Sequence, residues 1–140
     1  MWFSKKEANE TPKTQVTTKA VGDAAESVAL AHLRTAGLAL LEKNYRTPGR
    51  GGGEIDLIMK DTDGTLVFVE VRQRASQSHG GAGASVSAVK QKRIVFAARH
   101  YLMRFKTLPP CRFDVVLIHG GLGVGDAPAI EWLQAAFDAV

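Results

Sequence analysis

Residues 53–72 leave this chain little freedom in how it folds. They read Gly-Glu-Ile-Asp-Leu-Ile-Met-Lys, then Asp-Thr-Asp-Gly-Thr, then Leu-Val-Phe-Val-Glu-Val-Arg. Two alternating runs, rich in β-branched residues, flank a turn made of Asp, Thr and Gly, which is the pattern of an antiparallel hairpin. Alternation places Ile55, Leu57 and Met59 on one face of the first strand and Val67, Val69 and Val71 on one face of the second. Burying both sets together fixes the register. Ile55 then meets Val71 and Leu57 meets Val69, which sets Asp56 opposite Glu70 and Glu54 opposite Arg72.

Directly opposed side chains have Cβ atoms about 4.5–5.5 Å apart. Two carboxylates at that distance repel unless positive charge lies between them. A hard divalent cation such as Mg²⁺ or Mn²⁺ is one solution, since it favours carboxylate, carbonyl and water oxygens. A nearby Arg paired with Glu70 is the other, and the pair alone does not choose between them.

At 140 residues the chain has the length of one domain, able to bury about two-thirds of its unfolded surface without disulfide or structural metal. The lone Cys111 reads as a small hydrophobe, and no Cys/His cluster has zinc spacing. No apolar run is long enough to span a bilayer, and the first residues do not resemble a signal peptide, so a cytoplasmic protein is expected. The net charge is only +4, but it is unevenly spread. From Val71 to Phe113 there is no acidic residue, while Arg72, Arg74, Lys90, Lys92, Arg93 and Arg99 all fall within that stretch. A one-sign block beside a carboxylate cluster is an electrostatic footprint for a polyanion, DNA or RNA. A solvated basic helix is the plainer alternative.

Residues 1–18 are polar and read as a flexible tail. A helix is expected over 18–35, where apolar residues recur at helical spacing before Gly37. Glu26 lies on it, either as an exposed carboxylate or as a third acid turned toward the hairpin. Residues 38–45 read as a strand. The loop that follows contains Gly51, Gly52 and Gly53, read as a flexible entry to the hairpin; it lacks the order of elements of a phosphate-binding loop. A second glycine-rich loop spans 75–84, in a position suited to binding.

A second long helix is expected from residue 85 or 87 to 105. Ile94, Ala97, Ala98, Tyr101, Leu102 and Phe105 form its buried stripe, and Lys92, Arg99 and Lys106 its exposed basic stripe. Lys90 sits one turn before Ile94, at the edge of the packed face. Residues 112–118 are almost continuously apolar, as in a central strand. Residues 129–132 suggest a short edge strand and 133–139 a helical turn or two. The expected architecture is α/β, a mixed sheet flanked by two long helices in one domain over 19–140.

The hairpin motifs, with Gly22-Asp23-Ala24-Ala25-Glu26 and Asn44-Tyr45-Arg46 before them and Lys90 and Arg112-Phe113-Asp114-Val115-Val116 after them, resemble the YraN-like family of bacterial proteins. The resemblance covers about residues 19–118. That family is in turn similar to the PD-(D/E)XK nuclease superfamily, whose restriction-endonuclease-like fold is shared by archaeal Holliday-junction resolvases. The superfamily pattern is an acid on one strand, Glu-X-Lys on the next, and a further Glu from the first helix.

Carried over residue by residue, the resemblance makes Asp56 and Glu70 the strand acids and Glu26 the helix acid. Arg72 stands where the motif has Lys. It implies metal-assisted phosphodiester hydrolysis, with Asp56, Glu70, the Val71 carbonyl and Glu26 around Mg²⁺ or Mn²⁺. Arg74, Lys90, Lys92, Arg93 and Arg99 would hold the nucleic acid. Arg stays protonated and cannot act as a base, so Arg72 can stabilise charge only; Lys90 is a candidate substitute, and neutralising Glu54 across the strands is the alternative role for Arg72. A catalytically inactive nucleic-acid-binding module of the same fold is the alternative. A docking protein for an acidic partner or membrane ranks below both, because no basic helix with Trp or Phe anchors is evident. A two-fold homodimer would suit a junction or duplex.

Overall fold

A computed structural model describes residues 18–74, 86–120 and 127–139, with side chains described from residue 22 onward. The expected tail over 1–18, apart from Thr18, which begins a helix, and the expected glycine-rich loop over 75–84 lie outside the described residues. Helix α1, Thr18–Thr35, has the expected bounds. It closes through Gly37, whose φ of 104° suits glycine, with the Leu38 N–H donating to the Leu33 carbonyl. Strands β1 (Ala39–Arg46), β2 (Glu54–Lys60) and β3 (Leu66–Arg74) follow, then helix α2 (Ala88–Leu102) and strands β4 (Cys111–His119) and β5 (Ala129–Phe137).

The strands form one five-stranded sheet in chain order. Only β3 and β4 run parallel; the other three pairings are antiparallel. A parallel pair requires a long crossover, and the segment containing α2 supplies it. The helices cover opposite faces. Ala25, Ala29, Leu30 and Leu33 of α1 pack on Leu57, Met59, Val67, Val69, Val116 and Ile118. Ile94, Val95, Ala97, Ala98 and Tyr101 of α2 pack on Ile58, Phe68, Phe113, Val115 and Leu117. The result is an α/β sandwich of helix, mixed sheet and helix, an arrangement consistent with the restriction-endonuclease-like fold.

The β2–β3 register is the expected one, with Leu57 against Val69 and Met59 against Val67. The Asp61 carbonyl accepts from Gly64 across the turn, and Gly64 has φ 92°. The ladder ends at Leu57–Val69, before Asp56 reaches Glu70. The faces also differ from the alternating pattern there. Ile55 packs with the α2 layer, whereas Leu57 packs with the α1 layer. Residues two apart share a face in a regular strand, so β2 twists at Asp56. Across from it, Asn44 in β1 has φ 51°, a left-handed conformation that Asn tolerates better than most residues.

Three further expectations change. Residues 133–137 are not helical but extend β5, pairing Leu133 with Val115 and Phe137 with Phe113. Helix α2 ends at Leu102 with a cap at Met103, so Lys106 lies off the helix and leaves the basic stripe. The glycines before β2 serve close approach more than flexibility. A Cβ on Gly53 would run into the Arg93 carbonyl and the Ala97 nitrogen of α2, and one on Gly52 into Thr47. The Gly53 N–H donates to Thr47 Oγ1 at 2.8 Å.

Candidate metal and phosphodiester site

Where the β2–β3 ladder stops, a side chain completes it. The Val71 N–H donates to Asp56 Oδ2 at 2.8 Å. An N–H and a C=O of one strand residue leave on the same side, so the Val71 carbonyl faces the same opening. Glu70, in register with Val115 in the middle of the sheet, is only 6% exposed. It lies on the face that carries Phe68, beneath α2. Asp56 and Glu70 are therefore brought close enough for each to perturb the other's ionisation.

Burial, then the neighbouring Asp56 carboxylate, pushes the Glu70 pKa from 4.5 up to about 8, against the pull of Lys90 and Arg72. Burial also raises Asp56; the Val71 N–H, the neighbouring Glu70 and Lys90 oppose it. Both shifts run the same way, so burial favours the protonated forms of both carboxyls. Like charges this close resist full ionisation.

Lys90 comes over the edge of α2 into this site. Ser87 caps the helix start, its hydroxyl accepting from the Lys90 N–H at 3.1 Å. The Lys90 ammonium lies 3.4 Å from Glu54 Oε2 and 3.8 Å from Glu70 Oε2. Glu54 also pairs with the exposed Arg46 at 3.6 Å. Its cations are thus Lys90 and Arg46, and the expected Glu54–Arg72 pair does not form. Arg72 lies two residues beyond Glu70 on the same face of β3, opposite Leu117 of β4.

Glu26 does face the hairpin, across a cleft of about 650 Å³ lined by Asp23, Glu26, Asn44, Arg46, Glu54 and Asp56. With the Asn44 amide turned nitrogen-first, it donates to both Glu26 oxygens at 3.1 and 3.3 Å. Burial raises the Glu26 pKa, as does the Asp56 charge, and Asn44 opposes the rise. Asn44 was not among the expected site residues. Its tolerance of the left-handed region was the available signal.

The donors fit a hard divalent ion in kind: two carboxylates and a backbone carbonyl, all oxygen, around an excess of buried negative charge. Mg²⁺ is commonly held by one or two carboxylates with water completing its shell. Among the described residues, no three His, Cys, Asp or Glu side chains are gathered as a metal-binding group; Glu26 lines the cleft beside Asp56.

The expected phosphate contacts separate. Lys90 serves the acids. Arg93 donates to the Gly52 carbonyl at 3.4 Å and stays beside the β1–β2 loop. Arg74 ends β3, where its carbonyl accepts from the Gly120 N–H. Lys92 and Arg99 share a groove on the outer side of α2. Among the described residues no helix is long and apolar enough to cross a membrane.

A family model described as "Uncharacterised protein family UPF0102" matches residues 25–118. A UPF0102 protein of Polaromonas naphthalenivorans is 68% identical, with 99% of each chain covered. One from a second Polaromonas species is 64% identical with the same coverage. One from Paracidovorax citrulli is 66% identical over 89% of this chain and 87% of that protein.

Proposed function

The chain belongs to the UPF0102 family, and on that premise we propose that it is a nucleic-acid-binding protein with a metal-dependent endonuclease site for phosphodiesters. The observation that carries this reading is the Asp56–Glu70 pair: a buried and a half-buried carboxylate, both pushed toward their protonated forms, at the point where the hairpin opens beside Lys90. Simple packing would not select such a pair, because each buried charge costs several kcal/mol unless compensated.

Asp56, Glu70 and the Val71 carbonyl would hold Mg²⁺ or Mn²⁺. The chemistry such an ion supplies when bound is charge neutralisation at phosphate and acidification of water. The chain's own residues do the rest. Glu70, whose burial favours its protonated form, would have to be ionised to serve as a ligand. Asp56 keeps its geometry through the Val71 N–H. Lys90 sets its ammonium against Glu70 and is the candidate to stand in for the motif Lys. Arg72 can meet developing negative charge but cannot take a proton. The cations of β3 and α2 favour a polyanion, DNA or RNA, with a branched DNA among the candidates.

The test is cleavage of labelled single-stranded, duplex, flap and four-way-junction DNA and of RNA, with Mn²⁺, Mg²⁺ or EDTA. Wild type is compared with the Asp56→Ala, Glu70→Ala double variant. Cleavage that needs metal and is lost in the variant is expected. Salt-sensitive binding with no cleavage under any metal would overturn the endonuclease and leave the inactive binding module.

A further inference from the structure

The outer side of α2 carries a pattern the Asp56–Glu70 site does not use. Val89, Lys92, Phe96, Arg99 and Met103 follow one another at intervals of three and four, so they form one ridge. The ridge alternates apolar, cationic, apolar, cationic, apolar. Val89 is 70% exposed, Phe96 53% and Met103 77%, while Ile94, Ala97, Ala98 and Tyr101 fill the opposite side. Beside the ridge a groove of about 400 Å³ runs between α2 and the end of β5, lined by Gln91, Lys92, Val95, Phe96, Arg99 and Asp138. An exposed Phe is unremarkable alone. An exposed Phe one turn from a cation on either side, over a groove, is a platform.

What it accepts follows from charge and stiffness. A second copy of this chain in a symmetric pair would bring Lys92 and Arg99 against their own counterparts. The occupant is therefore anionic between apolar contacts. Nucleobases stack on aromatic rings while the linking phosphates meet cations. The ridge and the Asp56–Glu70 site lie on opposite sides of a helix about 10 Å across. Duplex DNA is stiff over about 50 nm and does not turn around such a helix; a single strand does.

We infer that the Phe96 face of α2 is a stacking platform for single-stranded nucleic acid, with Lys92 and Arg99 binding the flanking phosphates. This rests on the proposed function and narrows its substrate to one with an unpaired segment. Asp138, a carboxylate in the same groove, keeps the phosphates on the Lys92–Arg99 side.

The test is fluorescence anisotropy of labelled oligothymidylate and of a blunt duplex, in EDTA at fixed salt, with folding checked by circular dichroism. Phe96→Ala is expected to weaken oligothymidylate binding about 5- to 100-fold and to leave duplex binding unchanged. Phe96→Leu, which keeps apolar bulk but no ring, should lose most of the same affinity. Lys92→Ala with Arg99→Ala should weaken both ligands and flatten the salt dependence. Asp138→Asn should tighten binding a fewfold.

Full oligothymidylate affinity in both Phe96 variants would overturn the platform and leave the nucleic-acid reading standing. Equal losses on both ligands would overturn it too. Tighter, Phe96-dependent binding to phosphatidylserine vesicles would assign the ridge to a membrane surface instead. No binding of any nucleic acid by wild type would overturn both readings together.

Discussion

Asp114 and Glu70 lie on neighbouring strands and are almost equally hidden, at 0% and 6% exposure, yet their surroundings differ in kind. Asp114 faces the α1 side and is saturated. Arg112 Nε donates to its two oxygens at 3.1 and 3.2 Å, the Trp132 indole to one at 2.9 Å, and the Ala135 N–H to the other at 2.9 Å. Arg112 in turn reaches Asp61 in the hairpin turn at 3.1 Å. Glu70 faces the α2 side with a second acid and a lysine at 3.8 Å. A buried carboxylate with its acceptors filled ties β4 to β5 and to the hairpin turn. One left short of donors is pushed toward its protonated form, as perturbed groups at functional sites are.

The comparison is broken most sharply by deleting each acid. Asp114→Ala should destabilise the fold by about 3–5 kcal/mol in urea unfolding, because it strands Arg112 and the Trp132 N–H. The Asp56→Ala, Glu70→Ala pair without metal should be neutral or stabilising. A large loss from the second pair would mean that both acids are structural.

Metal sharpens the contrast. Mn²⁺ at about 100 times its Kd should raise wild-type stability by about 2.7 kcal/mol, seen as a higher melting temperature, with no shift in the double variant. Equal shifts in both proteins would place any bound ion elsewhere.

A pH series is the third approach. The folded pKa of Glu70, about 8, lies above its ordinary 4.5. The stabilising contribution is therefore complete below 4.5, and it is lost as pH rises toward and through 8. Glu70→Gln should flatten that decline and leave the metal-free protein about 1–3 kcal/mol more stable at pH 8. Identical pH profiles would show that Glu70 ionises in the fold as freely as in water. Smallest of all, Trp132→Phe should cost about 1 kcal/mol, one hydrogen bond to Asp114; no change in the urea midpoint would mean that this bond contributes nothing.

The same two acids show what was legible beforehand. Asp56 and Glu70 could be matched from the hairpin alone, because period-two alternation around a short turn sets Leu57 against Val69. Position Lys90 was legible only as an edge residue of a helix; its acids became definite once α2 crossed the sheet. The Asp114 network could not be read, since its donors are 18 and 21 residues downstream on a strand with helix-like composition. Leu133, Gln134, Ala135 and Ala136 all favour helix. Pairing with β4 overrides them, helped by Phe137 stacked on Phe113 at 5.1 Å between ring centroids. Ala135 at φ 50° interrupts the alternation that would have revealed the strand. The Ile55 face failed for a related reason: the twist at Asp56 is set by neighbouring strands and leaves no trace in local periodicity.

The seat of Gly53 against the backbone of Arg93 and Ala97 gives α2 a fulcrum. Its contact point lies one turn past Lys90, and the residue on the other side of it is Glu54. A wedge as small as a methyl group there would lever the helix from the sheet and swing the ammonium away from Glu54 and Glu70 together. Alignment of that lysine is thus a matter of clearance at a backbone crossing, held by a residue that touches neither acid.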